Sequence, residues 1–78
     1  MSEHSKVIEE YLLTLYKIDR SGEKAKAVTL ASRLETSAPT VHATISRMQR
    51  DGLVDVKKSK VVTLTKKGQK VAEDIAYR

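Results

Sequence analysis

The stretch from Thr29 to Leu53, TLASRLETSAPTVHATISRMQRDGL, holds two helix starts in tandem with a tight connection between them. Thr29 precedes the apolar run Leu30, Ala31 and Leu34, and Ser37 precedes Val41, Ile45 and Met48. Each hydroxyl is placed to cap its helix by accepting a backbone N–H. That is the pattern of a helix-turn-helix. Charge adds to the constraint, because residues 36 to 70 carry Arg47, Arg50, Lys57, Lys58, Lys60, Lys66, Lys67 and Lys70 against only Asp51 and Asp55. Residues 1 to 35 balance six bases with six acids, so the excess behind the net +5 lies in one half of the chain.

The flanks complete a small fold around this pair. From Lys6 to Arg20, apolar residues recur at Ile8, Tyr11, Leu12, Leu15, Tyr16 and Ile18, the three-and-four stepping of an amphipathic helix that Ser21-Gly22 ends. Glu23 to Val28 reads as a charged loop with an extended pair near Val28, after which Thr29 opens a second helix running to about Glu35. The third helix spans Ala38 to Asp51. It tolerates Pro39 in its first turn, where an N–H would lack a partner anyway, and Gly52 is its C-cap. Leu53 to Val56 alternates apolar with polar, Val61 to Leu64 is β-prone, and Lys57-Lys58-Ser59-Lys60 joins them, so the two strands predict a wing. Thr65 is positioned to cap a fourth helix from Lys66 to the end, with Val71, Ala72 and Ile75 turned inward. Neither Gly nor Pro follows that last helix, so it is expected to have been longer in a parent protein. The expected architecture is one domain over residues 1–78, mainly α with a small β-hairpin, a winged helix-turn-helix of order α-α-α-β-β-α.

Composition narrows the function classes. With 78 residues, no Phe or Trp and three Tyr, the core must be aliphatic, and so small a fold gains stability from self-association. No cysteine is present, which excludes disulfides and Cys-based zinc sites. No window approaches the roughly 20 apolar residues needed to span a bilayer, and the chain is expected to be soluble and cytoplasmic. Catalysis finds no Ser-His-Asp arrangement and no phosphate-cradling glycine loop, so neither an enzyme nor a small-molecule substrate is expected.

With Val41, Ile45 and Met48 facing inward at about 100° per residue, Pro39, Ala43, Ser46 and Arg50 point outward and Thr40, His42 and Arg47 flank them. Small residues at the N-terminal end allow close approach to base edges, while the arginines reach phosphates. Pro39 and Ala43 offer surface suited to a thymine methyl. Ser37, Thr40, His42 and Ser46 can hydrogen-bond to phosphate or base edges, and Arg47 or Arg50 can grip phosphate or, bidentately, guanine. Lys57, Lys58 and Lys60 would meet the backbone or minor groove beside the site. Thr29, at the start of the second helix, is expected to direct backbone N–H groups at a phosphate.

YLLTLYKI, then TLASRLETSAPTVHATISRMQRDGLV, then VTLTKKGQKVA resembles the N-terminal winged helix of the diphtheria-toxin-repressor family of iron- and manganese-dependent regulators, over nearly the whole chain. The resemblance implies a double-stranded-DNA-binding transcriptional repressor. By it, Ser37, Pro39, Thr40, His42, Ala43, Arg47 and Arg50 match positions that face DNA, with His42 and Ala43 departing from the family's frequent hydroxyl and amide residues. It also implies a homodimer on DNA, held together by a later region, and an Mn2+ or Fe2+ corepressor bound between the first helix and a helix beyond this domain. Glu10 occupies a position resembling a family metal ligand, whereas Leu13 is apolar where manganese-type members have a second carboxylate. One carboxylate cannot hold a transition metal, so no tight site is expected in this chain alone.

Plainer readings stand beside these. The basic helix face can be an ordinary solvated face, and the wing lysines can blunt an edge strand against aggregation. His4 and His42 can be simple surface residues, and Glu9 and Glu10 first-turn acids favoured by the helix dipole. The rival function is a winged helix serving as a protein–protein module, which would expose a large apolar patch in place of basic residues.

Overall fold

The structure is a computed structural model and describes residues 5–77; His4 lies outside the described residues. Four helices and one hairpin follow each other as α1 (Lys6–Ser21), α2 (Ala27–Arg33), α3 (Ala38–Arg50), β1 (Val54–Val56), β2 (Val62–Leu64) and α4 (Lys66–Ala76). The expected order and class hold. Leu12, Leu30, Val41, Met48, Leu53 and Ala72 are fully buried, and the core is aliphatic apart from Tyr11 and Tyr16 of α1. Helix α1 is the central element, packing on α4, α2 and β2. Its N-terminus is capped by Ser5, whose Oγ accepts from the Ile8 N–H (3.2 Å), and its inward stripe is the one the periodicity predicts.

Helix α2 corrects the sequence reading. It begins at Ala27, not after Thr29, and Lys26 precedes it without a side-chain cap. Thr29 is the third helical residue and is partly buried. The cause lies in the hairpin: the Val62 N–H donates to the Ala25 carbonyl (2.8 Å), an isolated antiparallel bridge that holds Ala25 extended beside β2. Released from that bridge at Lys26, the chain turns directly into helix. The extended residue thus falls at Ala25 rather than near Val28, and Ala27 and Val28 belong to the helix instead of the loop. The helix also stops at Arg33, two residues short of the expected Glu35, because Glu35 adopts a left-handed conformation (φ 54°). There its N–H bonds the Ser32 carbonyl (3.3 Å) while the Thr36 N–H bonds that of Ala31 (2.9 Å).

The same closure ends α3. The Gly52 N–H bonds the Gln49 carbonyl (3.1 Å) and the Leu53 N–H bonds that of Met48 (2.9 Å), the paired bonds of a Schellman motif, with Gly52 at φ 76°. Buried Leu53 then leads into β1, whose Val54, Asp55 and Val56 pair with Leu64, Thr63 and Val62 of β2.

Thr65 welds α4 to this junction. Its hydroxyl donates to the Gly52 carbonyl (2.6 Å) and accepts from the Gly68 N–H (3.0 Å), while its own N–H bonds the Leu53 carbonyl (3.0 Å). Gly68 lies so close to Leu53 that a β-carbon there would collide with the Leu53 carbonyl. The LTKKG run is therefore a structural joint that seats α4 against the root of the wing. Helix α4 ends at Ala76, short of the chain end expected from sequence, with the Tyr77 N–H bonding the Glu73 carbonyl (3.0 Å). Tyr77 closes the seam with α1: its hydroxyl lies 3.4 Å from that of Tyr16, which also accepts from Arg20 Nη1 (3.2 Å).

Candidate nucleic-acid interface

Ser37 caps α3 by accepting from the Thr40 N–H (3.4 Å), and its Oγ lies 2.9 Å from Thr40 Oγ1. Pro39 stands in the first turn. With Val41, Ile45 and Met48 in the core, Pro39, Thr40, His42, Ala43, Ser46, Arg47 and Arg50 are all exposed. The helix therefore presents the expected face to solvent.

The wing tip is a tight turn in which the Lys60 N–H bonds the Lys57 carbonyl (2.8 Å) and the Lys57 N–H bonds that of Val61 (3.0 Å). Lys60 occupies the left-handed position (φ 68°) that three-residue hairpin loops usually give to glycine. Lys57, Lys58 and Lys60 are exposed. Among the described residues the salt bridge is that of Arg33 with Glu23 (2.9 Å), which involves none of the cations on α3 or the wing. Their field is left uncompensated by local ion pairing. Lys67 is different: its Nζ donates to the Asp51 carbonyl (3.1 Å), a cation neutralising the C-terminal end of α3.

Helix α3 and the hairpin open on the same surface. A groove of about 450 Å3 runs between them, walled by His42, Ser46 and Gln49 on one side and by Val56, Lys60 and Val62 on the other, with Lys26, Ala27 and Val28 at one margin. On the opposite flank of α3, Ala43 and Arg47 share a shallower cleft with Ser5 and Val7 of the α1 N-terminus. Sequence reasoning missed Lys26, Val28, Gln49 and Val56. Gln49 was within reach of it, since it continues the i, i+4, i+7 row of His42 and Ser46; the other three depend on where α2 starts and on the hairpin's placement. Thr29 does not cap α2, yet its N–H still lies ahead of the first ladder bond, from the Leu30 N–H to the Lys26 carbonyl (3.0 Å).

A three-helix core with the second and third helices joined by a tight turn, followed by a hairpin beside the exposed third helix, defines a winged helix-turn-helix. Residues 3–62 match the family model described as iron dependent repressor, N-terminal DNA binding domain, and the chain belongs to that family. It is 40% identical over 72 residues to the iron-dependent repressor IdeR of Mycobacterium tuberculosis, covering 92% of this chain and 31% of that protein. Against the diphtheria toxin repressor of Corynebacterium diphtheriae it is 41% identical over 64 residues, covering 82% of this chain and 28% of that one. The chain thus spans less than a third of the length of these curated relatives. Among solved structures, the MepR–DNA complex of Staphylococcus aureus shares the fold with a TM-score of 0.80 at 22% identity, over 95% of this chain and 55% of MepR.

Glu10 is exposed on α1, and among the described residues no three His, Cys, Asp or Glu side chains gather where they could hold an ion. Nor is any helix among them long and apolar enough to cross a membrane.

Proposed function

We propose that this chain binds double-stranded DNA as the reading head of a transcriptional repressor, with α3 in the major groove and the wing on the adjacent backbone. The observation that carries the reading is that His42 and Ser46 of the exposed α3 face and Lys60 of the wing tip flank one groove, and among the described residues no salt bridge involves the cations of α3 or the wing. Membership of a repressor family's DNA-binding domain supports it.

In this reading Pro39 and Ala43 approach thymine methyls. Ser37, Thr40, His42 and Ser46 bond phosphate or base edges, Arg47 and Arg50 take phosphate or guanine, and Lys57, Lys58 and Lys60 take phosphates beyond the site. Thr29 contributes a backbone N–H toward a phosphate, a lesser contact. A face with so few long polar side chains reads sequence weakly, so shape and a second half-site share the work. The chain therefore acts as a homodimer on DNA, because one small module buries little DNA surface. Regulation by Mn2+ or Fe2+ would belong to the longer protein, since Glu10 supplies only one ligand.

A selection from random duplexes, run with and without manganous or ferrous ion, tests this reading and reports site and stoichiometry together. Arg50→Ala should weaken binding to all duplexes or relax choice at one base pair, by about 1–3 kcal/mol. Recovery of no enriched or retained duplex would refute it.

A further inference from the structure

The charges of α4 run against its dipole. A helix is partially positive at its N-terminus and partially negative at its C-terminus, so acids are favoured in the first turn and bases in the last. Helix α1 conforms with Glu9 and Arg20, α2 ends on Arg33, and α3 ends on Arg47 and Arg50. Helix α4 does the reverse: it opens with Lys66 and Lys67, adds Lys70 and has no acid in its first turn, while Glu73 and Asp74 lead into a last turn that holds no base. Lys67 is accounted for by its bond to the Asp51 carbonyl (3.1 Å). Lys66, Lys70 and Asp74 are exposed, and none of the three joins a salt bridge among the described residues. Lys70 and Asp74 stand four residues apart yet stay unpaired, in the lysine-first order that gains least on a helix.

Gly68 and Ala72 turn inward, so at about 100° per residue Lys66, Lys70 and Asp74 form one row along the exposed side of α4, two cations followed by an acid. We infer that this row is a contact between two copies of the chain, whose α4 helices pair antiparallel across a twofold axis level with Ala72. Lys70 of each copy then faces Asp74 of the other, and Lys66 lies beside the other copy's C-terminal turn, where the last carbonyls of the helix are open. Each charge that its own helix disfavours is favoured by the dipole of its neighbour. Charge complementarity selects the occupant, because a row of mixed sign fits its own reversal, as a twofold contact requires. A duplex or an acidic protein would be drawn to the lysines and repelled by Asp74 and Glu73 beside them. The inference rests on the homodimer reading above, names a surface for it within this domain, and uses none of the residues proposed to touch DNA.

Exposed ion pairs are individually weak, so the free dimer is expected to have a Kd on the order of 1 mM and to dissociate as salt rises. The experiment measures translational diffusion of the chain by NMR, without DNA, across that concentration at low and high salt. Lys70→Glu and Asp74→Lys should each weaken self-association about tenfold, because each turns both symmetry-related pairs from attraction to repulsion. An equimolar mixture of the two variants should associate at least as tightly as the parent, since glutamate at 70 then meets lysine at 74 and Asp74 meets Lys70. Recovery on mixing is a readout that a change in helix stability alone would not produce. Both positions are exposed, and circular dichroism checks that α4 persists in each variant.

A parent chain that diffuses as a monomer throughout overturns the inference. Association that ignores both substitutions overturns it too, and is the result expected of a dimer formed through another face. So does a mixture that stays monomeric. If the parent binds duplex yet remains monomeric without it, this contact is rejected and the DNA reading stands. A salt-sensitive dimer in a chain that binds no duplex rejects that reading and leaves the contact in place.

Discussion

Two left-handed turns bracket the wing's first strand, and they are filled by opposite kinds of residue. Gly52 (φ 76°) ends α3 and Lys60 (φ 68°) ends the wing turn. For an L-residue this conformation costs about 1–2 kcal/mol, a cost glycine escapes. Gly52 belongs to the joint where its carbonyl accepts from Thr65, and there the backbone alone matters. Lys60 borders the groove, and there a cation occupies the left-handed position. An unfavourable conformation at a candidate site is the direction in which strain points to function.

The sharpest way to break this contrast is to reverse charge on the wing. Lys57→Glu with Lys58→Glu should weaken binding to every duplex on the order of 100-fold at low salt and lower the salt slope by roughly two. Thermal stability should barely move, since both side chains are exposed; a binding assay paired with a melting curve checks both. On the scaffold side, Gly68→Ala should cost about 2 kcal/mol in urea unfolding, because its new methyl must displace the Leu53 carbonyl.

The two turns themselves should respond in opposite senses. Gly52→Ala should destabilise the fold by about 1 kcal/mol. Lys60→Gly should stabilise it by about 0.5 kcal/mol, the relief of strain less the entropy glycine adds to the unfolded chain, while weakening duplex binding. A gain in unfolding free energy paired with a loss of duplex affinity is the expected outcome for Lys60→Gly; stabilisation without loss of binding would show that the cation at this position does not serve DNA.

The smallest effect concerns the α1–α4 seam, remote in character from the charged surface. The hydrogen bond with Tyr16 holds the Tyr77 phenol above its usual range. Folding therefore favours the protonated phenol. That contribution is present below the ordinary phenol pKa of about 10 and is lost as pH rises through the raised folded value. Tyr77→Phe should remove this alkaline dependence and leave duplex affinity at neutral pH unchanged, as a melting series across alkaline pH would report.

Much of this was legible in the sequence because it is local. The caps at Ser37 and Thr65, the stripes of α1 and α3, and the closing Gly52 depend on neighbours within a turn or two, and each stands where the pattern puts it. The start of α2 was not legible, because Thr29 is a plausible cap by type and the true boundary is set by a bond from Val62, far along the chain. The outward face of α3 followed from 100° per residue. The groove did not, since Val28 and Val56 acquire meaning only once the hairpin is folded beside the helix. Lys67 was counted with the other bases, yet it is engaged with the end of α3.

The central claim is that the surface shared by α3 and the wing is a mould for phosphates. Its most direct test is the affinity of the parent chain for a mixed-sequence duplex, measured from low to physiological salt. Log affinity is expected to fall linearly with log salt, with a slope corresponding to several released counterions. Binding that does not respond to salt, or no binding at the lowest salt, would contradict it.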